Sequence, residues 1–248
     1  MKKLNIFNLF FDVILFEDLY KKIVNRNICS LQIVVTPNVD HIVRCYRDHH
    51  FLSIYKTADI TVCDSRILRS YIRLARRIDI DLISGSDLTK KIIRNLKQSD
   101  TVTVLGCNEK IIKKVQEKYQ IRKLYHYNPP MGFIKDDYEV DRCLDFVKKN
   151  ISDYLFICVG SPQQEILAFT IKRRLNIKGY CFCVGASLLF LSGEEKRAPI
   201  WIQELSLEWL YRLIQNPKRL FKRYLVDDLY ILKVFFKDIR ETIRKKLK

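Results

Sequence analysis

Polar side chains follow two apolar, strand-like segments of the sequence. Thr36 and Asn38 end the segment LQIVVTPN, and Asp64 ends the segment ADITVCDS. A carboxylate at the end of a buried strand can act as a general base when its pKa and its reach suit the reaction. Asp64 can also cap a helix that begins near Arg66, and the local pattern by itself favours that role. Both roles for Asp64 stay open at this point.

A second group of residues forms a strand-to-helix turn that suits a bound anion. In VGSPQQE, Gly160 permits a tight turn, Ser161 can cap the helix and Pro162 fits the first helical position. The backbone N–H groups of such a helix start suit a phosphate or a sugar hydroxyl, although an ordinary turn uses the same residues. Gly106 and Asn108 repeat this arrangement in VLGCNEKIIKKV. The complete GxGxxG motif of dinucleotide-binding proteins is absent, which argues against that function.

Three arginines near the carboxyl terminus have the spacing to act together. Arg212, Arg219 and Arg223 are separated by seven and four positions, so one helical face can carry two of them. Guanidinium groups bind phosphate oxygens bidentately and can neutralise a departing diphosphate without a metal ion. Asp79 and Asp81 form a D-x-D triplet, the spacing by which many nucleotide-sugar enzymes hold a divalent cation. So short a pattern often arises by chance, and we predict no metal site.

The composition indicates an anionic partner and a reducing compartment. The 248 residues include 45 Lys and Arg against 28 Asp and Glu, a formal net charge of +17. Such an excess attracts nucleic acid, an acidic membrane surface or a phosphorylated substrate, and charge alone does not choose among them. The eight cysteines include no C-x-x-C pair, which favours reduced thiols and a cytoplasmic protein. No apolar run reaches the roughly 18 residues of a spanning helix, so any membrane contact is expected at the surface.

Strand-like and helix-like segments alternate from about residue 31 to residue 190. The strand candidates are LQIVVTPN, ADITVCDS, TVTVLG, KLYHY, YLFICVG and YCFCVGASLLFL. Their apolar composition is typical of parallel strands that are buried on both faces. The alternation predicts an α/β fold with a Rossmann-like parallel sheet core, whose ligands bind at the carboxyl ends of the strands.

After Gly193 the strand pattern stops and helical spacing continues to the end. We predict an α/β core over residues 1–193, which would hold the catalytic residues, and a basic helical appendage over residues 194–248. From residue 217 onward there are 11 Lys and Arg and 4 Asp and Glu, a net charge of +7, with apolar residues at helical spacing. This pattern suits either binding to a membrane surface or packing on the core with a basic face in solvent.

Several of these residues belong to longer motifs that follow one another along the chain. The motifs are T-x-N (Thr36, Asn38), A-D-x-x-x-x-D (Ala58, Asp59, Asp64), G-S-D-L (Gly85 to Leu88), G-x-P-x-Q-E (Gly160, Pro162, Gln164, Glu165), K-R-A-P (Lys196 to Pro199), and E-W-L-Y-R-L followed by P-x-R-x-x-x-R-Y (Glu208 to Tyr224). In this order they resemble the WecG/TagA/CpsF glycosyltransferase family. The resemblance covers nearly the whole chain, from about Phe7 to Leu232.

The resemblance implies an inverting, metal-independent transferase that uses a UDP-sugar, often UDP-N-acetylmannosamine or its uronic acid. The implied acceptor is a sugar linked to polyprenyl diphosphate at the cytoplasmic face of the membrane. The products of the family enter wall teichoic acid or other surface polysaccharides. We therefore expect a peripheral protein on an anionic membrane surface, with no cofactor and no nucleic acid partner. The sequence leaves homo-oligomerisation open.

The resemblance also assigns roles to individual residues. Asp64 matches the catalytic base of the family, with Thr36 and Asn38 beside it as further catalytic candidates. The residues expected at the donor and its diphosphate are Gly106, Gly160, Gln164, Glu165, Arg212, Arg219 and Arg223.

Three positions depart from the family pattern. Ser65 follows the candidate base where the family usually has glycine, and Leu82 and Leu189 stand where an arginine and an aspartate are common. If that arginine and that aspartate normally form a buried ion pair, replacing both destabilises the protein less than replacing one, because no unpaired charge stays buried. The changes leave the donor sugar open. They also suit a second hypothesis, a non-enzymatic binder of anionic lipid or nucleic acid on an inactive transferase fold.

Overall fold

A six-stranded parallel sheet forms the centre of the protein. The structure, a computed structural model, describes residues 2–246. The side chains of residues 219, 245 and 246 are not included in that description. The strands are β1 (Lys2–Ile6), β2 (Leu9–Val13), β3 (Leu31–Val35), β4 (Ile60–Thr61), β5 (Thr101–Leu105), β6 (Lys123–Tyr127), β7 (Tyr154–Ile157) and β8 (Gly179–Cys183). β1 and β2 pair as an antiparallel hairpin, and the others form the parallel sheet in the order β4-β3-β8-β7-β5-β6. The predicted α/β fold is confirmed, and each predicted strand segment overlaps one of these six strands.

Helices flank the sheet and make up the carboxyl-terminal segment. They are α1 (Phe16–Asn25), α2 (Val39–Arg47), α3 (His49–Tyr55), α4 (Arg66–Arg76), α5 (Gly85–Arg94), α6 (Glu109–Tyr119), α7 (Asp137–Lys149), α8 (Gln163–Arg174), α9 (Ser187–Ser192), α10 (Ile200–Glu204), α11 (Glu208–Gln215), α12 (Pro217–Lys222) and α13 (Ile231–Lys246). A 3-10 turn spans Phe133–Lys135. Between α12 and α13 lie a π-helical turn, Arg223–Asp227, and a 3-10 turn, Asp228–Tyr230. Within residues 2–246, no helix is long and apolar enough to cross a membrane.

Successive residues of each central strand enter different cores on the two faces of the sheet. On β8, Cys181 and Cys183 pack in one cluster, while Tyr180 and Phe182 pack in the other. The two thiols therefore share one face, as predicted, and both are buried and free. Because the sheet is covered on both faces, its strand ends are where polar side chains can meet a ligand.

The last predicted strand segment is wrong in its second half. β8 ends at Cys183, and the run continues through Gly185, whose φ is 51°, into the helix α9. In α9, Leu188 and Leu191 are buried at helical spacing. A short apolar run does not distinguish a buried helix from a buried strand, which explains the error.

The amino-terminal hairpin was not predicted from the sequence. Its turn residues Phe7 and Asn8 have φ angles of 56° and 61°, the left-handed conformation of a two-residue hairpin turn. On β2, the buried carboxylate of Asp12 accepts a hydrogen bond of 2.9 Å from the backbone N–H of Thr61. Since β4 is an edge strand of the sheet, the hairpin protects that edge from pairing with another chain.

The helix α13 packs on the core through one face. Val234 is buried in the core, and the ring of Phe235 stacks on Tyr71 of α4 with the centroids 3.9 Å apart. Asp238 pairs with Arg76 of α4 at 2.6 Å and accepts a hydrogen bond of 2.8 Å from the hydroxyl of Tyr71. The packing hypothesis for this helix is therefore confirmed for its inner face. Its outer face still exposes Leu232, Phe236, Ile239 and Ile243.

The pair between Arg76 and Asp238 provides a test of this attachment. Asp238→Ala should lower the free energy of unfolding by roughly 3 kcal/mol, because Arg76 would stay mostly buried without its carboxylate. Urea unfolding followed by circular dichroism measures the change. Arg240→Gln, which removes an exposed charge from the same helix, is the control. Equal unfolding midpoints for the two variants would show that α13 is not held by this pair.

Candidate active site

Two cavities meet at the carboxyl edge of the sheet. We call the first the Trp209 cavity; it has a volume of about 340 Å³, and its walls include Arg66, Ile67, Leu82, Trp209, Asp228 and Leu229. The second, the Gln164 cavity, has a volume of about 350 Å³, and its walls include Thr36, Arg44, Gly160, Gln164, Ser187 and Phe190. The side chains that line both cavities are Asn38, Asp40, Asp64, Arg212, Arg223 and Tyr224. The cleft therefore has two compartments with a shared wall.

Asp64 lies on that shared wall and is held by the backbone around it. Its N–H donates to the carbonyl of Pro37 at 3.1 Å, and its carboxylate accepts a hydrogen bond of 3.1 Å from the N–H of Gly85. The helix α4 is capped instead by the hydroxyl of Ser65, which accepts from the N–H of Leu68. The capping alternative for Asp64 is therefore wrong, and its carboxylate is directed to the cleft.

The surroundings of Asp64 raise its pKa from an ordinary 3.8 to about 7. Burial is the main cause, because it penalises the charged carboxylate, and the nearby carboxylate of Glu208 adds to the effect. The Gly85 N–H and the charges of Arg212 and Arg197 act in the opposite direction without cancelling it. A carboxylate with this pKa can accept a proton efficiently near neutral pH.

Gly85 allows the backbone to come this close to the site. A Cβ atom at this position would lie 2.9 Å from the hydroxyl oxygen of Thr36, which is too short a contact. Any other residue would therefore displace either the hydroxyl of Thr36 or the start of α5. Thr36 itself is buried at the end of β3 and lines the Gln164 cavity.

Asn38 has a structural role in addition to lining the cleft. Its side chain accepts a hydrogen bond from the N–H of His41, and the ring of His41 in turn accepts from the Asn38 N–H, which together cap α2. This capping fixes the start of α2, and with it the position of Asp40 two residues later.

Asp40 holds two arginines at the junction of the cavities, and the sequence analysis missed it. Its carboxylate lies 3.2 Å from a guanidinium nitrogen of Arg223 and 3.3 Å from one of Arg44. Burial alone would raise the pKa of Asp40, but Arg223, His41 and Arg44 outweigh it and hold the pKa below its usual value. Asp40 is therefore a permanent anion that orients Arg223, a residue far along the chain.

Arg212 is positioned by partners on both sides. It pairs with Glu208 one helical turn earlier at 2.6 Å, and its guanidinium lies 5.1 Å from the centre of the Phe190 ring. Arg197 from the K-R-A-P motif donates to Asp87 at 2.9 Å and to the hydroxyl of Ser84 at 3.3 Å. The side chain of the third predicted arginine, Arg219, lies outside the described residues.

Gln164 and Glu165 form a buried pair at the start of α8. The side-chain oxygen of Gln164 accepts from the N–H of Gly185 at 2.9 Å, and its nitrogen donates to Glu165 at 2.8 Å. Gln164 lines the second cavity, whereas Glu165 is 3% exposed and stands behind it. The predicted cap of this helix is wrong, because α8 begins at Gln163 and the hydroxyl of Ser161 is buried without a hydrogen-bond partner. Gly160 lines the Gln164 cavity, as a ligand-binding turn should.

Gly106 is a predicted donor residue that lines neither cavity, although it lies close to the segment that precedes Gly160. It has a φ of 92°, and a Cβ atom there would lie 2.7 Å from a methyl group of Val159. Glycine is therefore required by the close approach of the ends of β5 and β7. A role for Gly106 in donor binding stays a prediction.

The two carboxylates of the D-x-D triplet have separate partners. Asp79 forms two hydrogen bonds of 3.0 Å with Arg69, and Asp81 accepts from the N–H of Phe16 at 2.8 Å. Within the described residues, no group of three or more His, Cys, Asp or Glu side chains is arranged to hold a metal ion.

The raised pKa of Asp64 predicts that ionisation of this carboxyl lowers the stability of the fold, whereas ionisation of a carboxyl with a lowered pKa would raise it. The folded protein binds a proton at Asp64 between about pH 4 and 7 that the unfolded chain does not, so ionisation destabilises the fold as pH rises through about 7. The melting temperature of Asp64→Asn minus that of the wild type should therefore increase as the pH is raised from 4.5 to 8. Melting curves at several pH values measure this difference.

Asp79→Asn is the matched control. Hydrogen bonding to Arg69 lowers the pKa of Asp79, so this substitution should show no such gain as the pH rises. A melting difference for Asp64→Asn that stays constant from pH 4.5 to 8 would contradict the raised pKa.

Comparison with known proteins gives matches that extend over most of the chain. A family model described as "Glycosyl transferase WecG/TagA/CpsF family" matches residues 4–245. The N-acetylglucosaminyldiphosphoundecaprenol N-acetyl-beta-D-mannosaminyltransferase of Bacillus subtilis strain 168 is 29% identical over 211 residues, which cover 82% of this chain and 78% of that protein. Proteins of the same name from Bacillus spizizenii and Staphylococcus aureus are 25% and 24% identical and cover 81% and 75% of this chain, and 77% and 73% of their own lengths.

Proposed function

The chain belongs to the WecG/TagA/CpsF glycosyltransferase family, and from this we propose that it transfers an N-acetylhexosamine, with N-acetylmannosamine as the expected sugar, from a UDP-sugar to an acceptor linked to polyprenyl diphosphate. The names of the relatives specify such an acceptor, N-acetylglucosamine joined through a diphosphate to undecaprenol, and N-acetylmannosamine as the sugar they transfer. The reaction would contribute to teichoic acid or another surface polysaccharide.

The observation that carries this proposal is the place of Asp64 on the wall between two cavities. A base in an inverting transfer must reach the acceptor hydroxyl while that hydroxyl faces the anomeric carbon of the donor. A carboxylate with a pKa of about 7 that lines both compartments can satisfy this requirement. We assign the donor to the Gln164 cavity and the acceptor to the Trp209 cavity.

In the proposed step, Asp64 takes the proton of the acceptor hydroxyl as its oxygen attacks the anomeric carbon. The bond from that carbon to the UDP oxygen breaks on the opposite face, so the configuration inverts. Arg212 and Arg223, which line the cavity assigned to the donor, would stabilise the negative charge that develops on UDP. Thr36, Asn38, Gly160 and Gln164 would contact the donor, with Glu165 holding Gln164 in place. No metal ion is needed in this scheme.

The central test is Asp64→Asn in an assay of UDP release with a lipid-diphosphate acceptor. The variant should fold and should be slower by roughly 10²–10⁴-fold, because the amide cannot accept the proton. In the wild type, kcat/KM for the acceptor should rise with pH through about 7, as the carboxylate ionises. Turnover should survive EDTA, and Asp79→Asn should retain wild-type turnover.

Three results would contradict the proposal. Near-wild-type turnover of Asp64→Asn would remove its role as the base. Loss of activity in EDTA, restored by Mg²⁺ or Mn²⁺, would revive the D-x-D metal site. Wild-type protein that binds anionic vesicles but releases no UDP from any UDP-sugar would favour the non-enzymatic hypothesis.

The proposed acceptor lies in a membrane, and the carboxyl-terminal segment has a surface that suits this location. Large apolar side chains that are exposed there include Ile200, Trp201, Ile214, Phe221, Val226, Leu229, Leu232, Phe236, Ile239 and Ile243. Basic residues alternate with them from residue 217 onward, with a net charge of +7. We propose that this surface, which we call the apolar basic surface, attaches the protein peripherally to an anionic membrane, consistent with a division of the chain near residue 193.

Point substitutions test membrane attachment better than truncation, because α13 also contributes Val234 to the core. Leu232→Ser combined with Phe236→Ser should weaken co-sedimentation with anionic vesicles without lowering the melting temperature, since both side chains are more than half exposed. High salt should weaken binding of the wild type as well, because each basic residue near the surface contributes about 1 kcal/mol. Met131→Ser, a fully exposed position in the loop after β6, is the control. Unchanged vesicle binding by the double variant would exclude the outer face of α13 as the anchor.

A further inference from the structure

The arginines that line the Trp209 cavity differ in whether they have a partner. Arg197 pairs with Asp87, Arg212 with Glu208 and Arg223 with Asp40. Arg66 also lines this cavity, and it has no hydrogen bond, ion pair or ring contact with any other described side chain. Each of these three arginines already interacts with a carboxylate, so Arg66 is the arginine of this cavity that can bind an anion without competing with an ion pair among the described residues.

The position of Arg66 relates it to the acceptor side of the cleft. It is the first residue of α4 and follows Asp64 by two positions. It lines the Trp209 cavity but not the Gln164 cavity, where Arg44 lies instead. A ligand that contacts Arg66 in this cavity therefore lies in a compartment that Asp64 also lines and that Gln164 does not.

Part of the lining of the Trp209 cavity is apolar and exposed. Ile67 is 41% exposed and Leu229 is 56% exposed, and both line the Trp209 cavity. Leu229 is also part of the apolar basic surface. An anionic group held at Arg66 could therefore continue directly into a hydrocarbon chain that lies on these side chains, since apolar contact area is favourable to bury.

We propose that Arg66 binds the diphosphate of the polyprenyl-linked acceptor, while Ile67 and Leu229 contact its first isoprene units. This inference rests on the proposed function and adds the acceptor subsite to it. The reaction brings two diphosphates into one cleft, and like charges at short distance repel each other. Binding by separate cations would hold the two diphosphates at different places in the cleft. Arg66 would bind the acceptor diphosphate in the Trp209 cavity, and Arg223 with Arg212 would bind the donor diphosphate. The guanidinium of Arg66 can bind two phosphate oxygens at once.

The first experiment measures binding and needs no turnover. Farnesyl diphosphate serves as a short prenyl diphosphate, and UDP serves as the donor diphosphate, each titrated calorimetrically into full-length protein. Arg66→Gln should lower the affinity for farnesyl diphosphate by roughly 10- to 100-fold, which is the range expected when a charge-assisted hydrogen bond is lost. The same variant should leave UDP affinity within about twofold of wild type. Farnesol, which lacks the diphosphate, should show no difference between the two proteins.

Arg73→Gln is the matched control, because Arg73 is exposed on the same helix and lines neither cavity. It removes the same charge and should change neither affinity. Arg66 has no partner to lose, so Arg66→Gln should melt at the wild-type temperature. Weaker UDP binding in Arg66→Gln would assign Arg66 to the donor and overturn the proposal. An equal loss of affinity for farnesyl diphosphate in Arg66→Gln and Arg73→Gln would overturn the proposal as well. So would an unchanged affinity in both variants.

The second experiment separates this inference from the proposed function. In steady state with a lipid-diphosphate acceptor, Arg66→Gln should raise the KM of the acceptor by a factor similar to its loss in binding, with kcat and the KM of the donor nearly unchanged. A wild-type protein without transferase activity would refute the proposed function. In that case the farnesyl diphosphate titration still decides whether Arg66 binds a prenyl diphosphate.

Discussion

The hydrogen bond from the backbone N–H of Gly85 to Asp64 joins two segments at the carboxyl edge of the sheet, beside both cavities. It fixes the start of α5 against the end of β4, and the glycine is required because a Cβ atom would collide with Thr36. Burial raises the pKa of this carboxylate to about 7, and the hydrogen bond from Gly85 only partly offsets that effect. The geometry that holds this side chain therefore also sets its chemistry.

Most of the sheet could be predicted from the sequence because its strands are short, mostly apolar and rich in β-branched or aromatic residues. The two errors have a physical explanation. The run after Cys183 is as apolar as a strand, yet it forms the helix α9, since burial alone permits either structure. The hairpin of β1 and β2 depends on Phe7 and Asn8 in a left-handed turn and on Asp12 bonding to a strand far along the chain. Neither feature has a strong local signal.

The candidate site shows the same division between local and distant information. Thr36, Asn38, Asp64, Gly160 and Gln164 follow strands or begin helices, and parallel strands bring such positions to one edge. Arg212 and Arg223 were found through motifs, and the structure places both on the wall of the cleft. Asp40 was missed because its importance comes from pairing with Arg223, which no local pattern reveals. The pKa of Asp64 was likewise beyond sequence analysis, since it depends on burial by several separate segments.

The ion pair between Asp40 and Arg223 has a consequence for the order in which the protein can become complete during synthesis. This ion pair and the neighbouring pair of Arg47 with Asp227 both join α2 to the segment that follows α12. The residues of the second pair are 180 positions apart in the sequence. The ribosome therefore makes the sheet and Asp64 long before the segment that closes the cleft over them. Until nearly the whole chain has emerged, the carboxylate of Asp40 is without Arg223, and the shared wall of the two cavities lacks the part that Arg223 and Tyr224 form. A chain interrupted before Arg223 would contain Asp64 without the complete cleft around it.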